Sequence, residues 1–212
     1  DNNGGHLLKW PEEINYAWTR MSDGSFTETT KNISGLSADT YDVVVTDFLG
    51  CKGYGSFTLS QPDEFVLDTL FISDFNGYNV SCFGYSNSKL ELDLTGGYGS
   101  HDYKWTTLNG LLRNPDNLNQ DQLPAGLYTL TVTDAINCQA SWDIEITQPD
   151  TLNINPTFSD NNGYNISCFD GSDGKINLNT FGGVSPYSFN WSTTGGSGIE
   201  INNENQTGLS AG

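Results

Sequence analysis

Four cysteines, two histidines and a large surplus of aspartates are the residues of this chain whose types could do chemistry. The histidines, His6 and His101, belong to no nucleophile or zinc pattern, His101-Asp102 reads as a solvent-exposed turn, and no Gly-x-Ser-x-Gly elbow or phosphate loop occurs. Carboxylate pairs need a cleft to act as acid and base, and nothing in the chain promises one. The expectation is therefore a protein that is not an enzyme. The run Asp170-Gly171-Ser172-Asp173-Gly174 is the one candidate metal site: Asp170 and Asp173 offer hard oxygen donors on a flexible turn, which suits Ca²⁺. It lacks the spacing and the closing Glu of an EF-hand, and its counterpart Gly84-Tyr85-Ser86-Asn87-Ser88 carries no acid. Turn-forming aspartate is the competing reading.

Cys51, Cys82, Cys138 and Cys168 contain no Cys-x-x-Cys and are not paired with histidine, so zinc ligation is not expected. In an oxidising compartment they suggest disulfides. The preferred pairing is Cys82–Cys138 within one repeat unit, with the partners of Cys51 and Cys168 outside the sequence. The rival scheme is Cys51–Cys82 with Cys138–Cys168; sequence alone does not fix connectivity.

Whatever these residues do, a repeated scaffold positions them. Tyr16-Ala17-Trp18 recurs as Tyr103-Lys104-Trp105 and as Phe189-Asn190-Trp191, at offsets of 87 and 86 residues. In the same register, Leu36 to Tyr41 matches Leu123 to Tyr128, and Thr46 to Cys51 matches Thr133 to Cys138. Gln61-Pro62-Asp63 matches Gln148-Pro149-Asp150, Gly77 to Phe83 matches Gly163 to Phe169, and Gly96-Gly97 matches Gly182-Gly183. Such fixed-period similarity divides the chain into the C-terminal part of one unit (1–62), a complete unit (63–149) and the N-terminal part of a third (150–212). Proline at the junctions leaves little linker, so the units are expected to join end to end as an elongated rod.

Each unit reads as β-strands. Leu90, Leu92 and Leu94 alternate with acidic residues; Tyr128, Leu130 and Val132 alternate with threonines; Trp142, Ile144 and Ile146 alternate with polar residues. Period-two alternation buries one face of a sheet, and several such strands in one unit need a second sheet to cover them. Asn-Gly and Gly-Gly pairs supply the turns. Pro156 marks its strand as an edge. The expected class is all-β: tandem immunoglobulin-like β-sandwiches, with Trp18, Trp105 and Trp191 in the cores and Tyr41 and Tyr128 as tyrosine corners. The polar stretch Asn109–Gln122 between Trp105 and Tyr128 reads as unit-specific decoration. Trp10 and Tyr98, which do not recur, are the candidates for a sugar-stacking surface.

Net charge is −18, from 26 acidic and 8 basic residues. That field repels phosphate backbones and anionic headgroups, so neither nucleic acid nor a membrane is an expected partner. No apolar run is long enough to span a bilayer.

The ordered set Ser81-Cys82-Phe83-Gly84, Gly96-Gly97, Tyr103-Lys104-Trp105, Leu123 to Tyr128, Val132 to Cys138 and Ile146 to Pro149 resembles the SprB-type repeat of Bacteroidota surface adhesins. Gly182-Gly183-Val184-Ser185-Pro186-Tyr187 in the third unit is closer still to that pattern, whereas Gly4-Gly5 is followed by an unrelated run. The resemblance implies an extracellular filament anchored at the outer membrane, exported by type IX secretion and linked to gliding motility. The implied partners are the substratum or polysaccharide surfaces, neighbouring repeats, and gliding or secretion machinery through other regions. The alternative is a carbohydrate-binding module of a secreted surface protein or hydrolase. The family supplies no catalytic residues. Asp68-Thr69-Leu70 and Asp150-Thr151-Leu152 resemble Bacteroidota O-glycosylation sites at Thr69 and Thr151, whereas the sequons at Asn79 and Asn165 read as incidental.

Overall fold

A computed structural model describes residues 14–212. His6, Trp10 and the Gly4-Gly5 run lie outside the described residues. The described chain is all-β, with thirteen strands and no helix. No helix among the described residues is therefore long and apolar enough to cross a membrane. By its contacts the chain divides into two compact units, Asp1–Asp63 and Glu64–Gly212.

The closed core lies in the second unit. β5 (Asp63–Ile72), β6 (Ser86–Gly97) and β8 (Gln120–Pro124) form one antiparallel sheet in the order β5-β6-β8. β7 (His101–Thr107), β9 (Gly126–Asp134) and β10 (Gln139–Ile146) form a second in the order β10-β9-β7. The alternating apolar positions of both sheets meet. Leu90 and Leu92 of β6, Leu123 of β8, Trp105 of β7, Leu130 and Val132 of β9 and Ile146 of β10 are buried together with Val80 and Tyr128. Phe65, Leu67 and Ile72 of β5, with Trp142 and Ile144 of β10, pack around them. The result is a two-layer β-sandwich whose core runs from Phe65 to Ile146. Period-two patterning worked here because each strand has one covered face and one wet face.

The flanking segments reproduce one sheet each. In the first unit, β1 (Asn15–Arg20), β2 (Thr27–Glu28), β3 (Asp39–Thr46) and β4 (Lys52–Leu59) are ordered β2-β1-β3-β4. Here β1, β3 and β4 stand where β7, β9 and β10 do in the sandwich. At the other side of the sequence, β11 (Asn153–Phe158), β12 (Gly174–Phe181) and β13 (Gln206–Leu209) are ordered β11-β12-β13, repeating β5-β6-β8. Pro156 lies on β11, an edge strand, where its missing N–H disrupts no central ladder.

The Gly-Gly motif has a steric cause. Gly96 sits at φ +85°, and a Cβ there would come within 1.9 Å of the Glu64 carbonyl oxygen. Gly182 sits at φ +75°, and a Cβ there would meet the Thr151 carbonyl at 2.0 Å. In the central repeat β5 passes directly over this turn, in the third segment the residues leading into β11 do, and only glycine admits the approach.

Candidate functional site: the tryptophan cage and the repeat ends

Trp105 is the centre of the sandwich, 2 % exposed. Its indole Nε1 donates to the Asn117 carbonyl at 2.8 Å, and its backbone N–H donates to the Pro115 carbonyl at 2.8 Å. Gln120, itself buried, donates its amide to the carbonyls of Asn114 and Asn117, while Asn119 Oδ1 accepts from Leu92 N–H on the facing strand. The stretch 109–122 is thus a cage that fixes the tryptophan and laces it to β6, not decoration. The third segment repeats it bond for bond. Trp191 Nε1 donates to the Asn203 carbonyl, Gln206 donates to the carbonyls of Glu200 and Asn203, and Leu178 N–H donates to Asn205 Oδ1. Trp18 keeps the indole bond, to the Thr30 carbonyl. The signal in the sequence was the recurrence of Asn119-Gln120 as Asn205-Gln206, at the Trp offset.

Tyr128 closes the same core. It is fully buried, and its hydroxyl donates to the Pro124 carbonyl four residues back at 2.8 Å. Tyr41 makes the same bond to the Ser37 carbonyl at 3.1 Å. Burial pushes the Tyr128 phenol above its ordinary range.

The two ends of the repeat are built by aspartate and asparagine. At one end Asp134 Oδ1 accepts from Ile136 N–H and Cys138 N–H, and its Oδ2 accepts from Tyr98 N–H. Burial works to raise the Asp134 carboxyl. The N–H bonds from Cys138, Ile136 and Tyr98, with His101 nearby, outweigh it and hold the group below the usual carboxylate range. Asp47 makes the equivalent bonds to Leu49 and Cys51. His101, read from sequence as an exposed turn residue, instead opens β7. It is half-buried against Phe65, with Nε2 3.1 Å from the Gly96 carbonyl oxygen. At the other end Asn79 Oδ1 accepts from both the N–H and the hydroxyl of Thr147, and its amide donates to the Ser73 carbonyl. The Asn79 sequon nitrogen is therefore already used in the fold.

This geometry corrects the disulfide expectation. Cys82 lies beside Gly84, whose N–H donates to Gln148, past the last residue of β10; Cys138 precedes the first residue of β10. Eight strand residues separate the two ends, about 27 Å at strand rise. A disulfide needs its Cα atoms within about 7 Å. All four cysteines are free and exposed. Cys168 follows β11 at the end of its sheet away from Asp150, so a Cys138–Cys168 bridge is not formed either.

The acidic turns do not gather into a metal site. Asp173 Oδ1 accepts from Ser167 N–H, as Asn87 Oδ1 accepts from Ser81 N–H at the matched position. Hydrogen bonds from the Ser167 hydroxyl and backbone lower the Asp173 carboxyl below its ordinary value. Asp170 lies at φ +56° in the same turn. Asp74 and Asp160 each accept from a glycine N–H three residues on. Among the described residues, no cluster of three or more His, Cys, Asp or Glu side chains could hold a metal. Thr69 and Thr151 are both exposed.

Residues 164–197 match the family model for the SprB repeat. The chain carries a SprB-type repeat. The match spans Ser167-Cys168-Phe169, the Gly182-Gly183 turn and Trp191, all of which recur with the same turn and cage bonds in the central sandwich. A SprB repeat points to a cell-surface protein. No curated protein matches the chain.

Proposed function

We propose that this chain is the SprB-type repeat region of a large secreted cell-surface adhesin, a spacer in an attachment filament and not an enzyme. The observation that carries the reading is the SprB match together with the same tryptophan cage in consecutive repeats. The repeat-conserved tryptophans and aspartates are committed to the fold. The described tryptophans 18, 105, 142 and 191 are buried or half-buried. The recurrent aspartates cap turns. That use of the tryptophans favours a spacer over a tryptophan-based sugar-stacking module; of the two candidates for a sugar-stacking surface, the described one, Tyr98, is exposed.

Adhesion through such units is the sum of weak contacts with the substratum or polysaccharide, multiplied by repeat number. Gliding and type IX export are part of the same proposal, with any machinery contacts made by other regions.

Two assays together test it. Pulling the chain from its termini should show the central repeat yielding as one discrete event. Its release is about 30 nm of contour length for an 86-residue period, before the folded length is subtracted. A glycan array should show no single-site binding by the same protein. Tight binding of one glycan, abolished by Tyr98→Ala, would replace the spacer with the carbohydrate-binding reading.

A further inference from the structure

The connector between the central sandwich and the segment that follows it is held from both sides. Sandwich and segment belong to one compact unit. The last strand of the sandwich, β10, ends at Ile146. Past it, Thr147 donates its N–H and its hydroxyl to Asn79 Oδ1, and its carbonyl accepts from the N–H groups of Asn79 and Val80. Gln148 Oε1 accepts from Gly84 N–H at 2.8 Å. Pro149 is fully buried. The Asp150 carbonyl then accepts from Gly183 N–H at 2.8 Å, already within the next repeat. Gly182 admits this close approach, since a Cβ there would stand 2.0 Å from the Thr151 carbonyl oxygen.

Little freedom is left between these anchors. The proline ring fixes φ at Pro149, and the residue before a proline is confined to extended backbone. The two repeats also meet beside the connector. Asn76, at φ +58°, donates its amide to the Ser185 carbonyl at 3.5 Å. Asn76 and the half-buried Tyr78 line one wall of a cleft of about 410 Å³, and Gly182 to Ser185 with Tyr187 line the other. A joint crossed only by its connector bends about it; a second contact to one side opposes that bend. Neither Asn76 nor Gln148 belongs to the hydrophobic core, yet Asn-Gly recurs at 76 and 162 and Gln-Pro-Asp at 61 and 148. The joint gives these recurrences a physical reason.

We propose that these contacts form a clamp that fixes the orientation of one repeat on the next. Gln148 and Asn76 are its aligning side chains, and the Gly-Gly turn is the socket. That turn then serves twice: it admits the first strand of its own repeat and seats the exit of the repeat before. Joints of this kind pass bending on from repeat to repeat instead of absorbing it in a linker. The inference adds a mechanical property to the spacer reading, and a loose joint would leave that reading standing.

Pulsed electron–electron resonance across the joint tests it. With the four exposed cysteines changed to serine, Lys104→Cys on β7 and Asn177→Cys on β12 put one spin label on each repeat. Both positions are exposed strand residues. The expected result is a single narrow distance distribution in the 212-residue protein with its joint unaltered. Pro149→Gly together with Gln148→Ala frees the connector and should widen the distribution severalfold. Slow exchange of the Trp105 indole N–H, bonded to Asn117, reports that the sandwich itself is intact. Should the double variant lose that protection, Asn76→Gly takes its place. Glycine suits the positive φ and removes only the amide, so the distribution should widen while Trp105 stays protected. A broad distribution with the joint unaltered, or an equally narrow one in a variant whose sandwich is intact, overturns the proposal.

Discussion

Replacing Gly96 by alanine should destabilise the central sandwich far more than the same change at Gly77, and the structure says why. Both glycines have positive φ, +85° at Gly96 and +92° at Gly77. Forcing an L side chain into that region costs about 1–2 kcal/mol at either site. At Gly77 nothing lies within 4 Å of the new Cβ, so the cost ends there. At Gly96 the Cβ would stand 1.9 Å from the Glu64 carbonyl oxygen and 3.0 Å from Phe65 Cα. These are backbone atoms of β5, so relief requires moving a strand whose Phe65 and Leu67 pack on the core. Overpacking of this kind adds about 1–3 kcal/mol. The total for Gly96→Ala is about 2–5 kcal/mol, a large share of the roughly 5–15 kcal/mol that holds a domain folded. Hydrogen exchange of the β9 amides reads it directly, because β9 lies between β7 and β10 and its amides open with the core. Equal losses of protection in the two variants would refute the strand-over-turn explanation.

Other consequences are equally specific. Tyr128→Phe removes the bond from the buried Tyr128 hydroxyl to the half-buried Pro124 carbonyl, for a loss of about 0.5–1.5 kcal/mol in denaturant unfolding. Because Cys82 and Cys138 sit at opposite ends of β10, non-reducing peptide mapping of folded protein should contain no Cys82–Cys138 peptide, and serine at both positions should leave the melting temperature unchanged. The folded Asp134 carboxyl lies below its ordinary value of 3.8, so its contribution is present above that value and is lost as pH falls through the depressed folded value. Asp134→Asn turns an amide N–H₂ toward one of the three N–H donors. It should lower stability at neutral pH and flatten the acid limb of a melting-temperature profile.

Strand patterning made the sandwich legible because Leu90, Leu92, Leu130 and Val132 each alternate with polar residues, and the two-residue period belongs to the backbone itself. The tryptophans and tyrosine corners were legible from their recurrence. The cage was not. Asn119 meets Leu92 across 27 residues, a contact made when a loop folds back, and its short polar run looks like any surface loop. The cysteines misled for a related reason. A separation of 56 residues carries no direction, and the strands deliver Cys82 and Cys138 to opposite ends. His101 was misplaced because its packing on Phe65 depends on β5 crossing the Gly-Gly turn. Tyr187 to Thr193 repeats the pattern of β7 and still forms no strand, since a strand is a pairing and not a property of its own sequence.

The account rests on residues 63–149 being a self-sufficient two-sheet unit assembled around Trp105 and Tyr128. Expressed alone, that segment should give a dispersed amide spectrum and a single cooperative unfolding transition, with the Trp105 indole N–H slow to exchange through its bond to Asn117. A collapsed spectrum, or an indole proton that exchanges as fast as a free tryptophan, would contradict it.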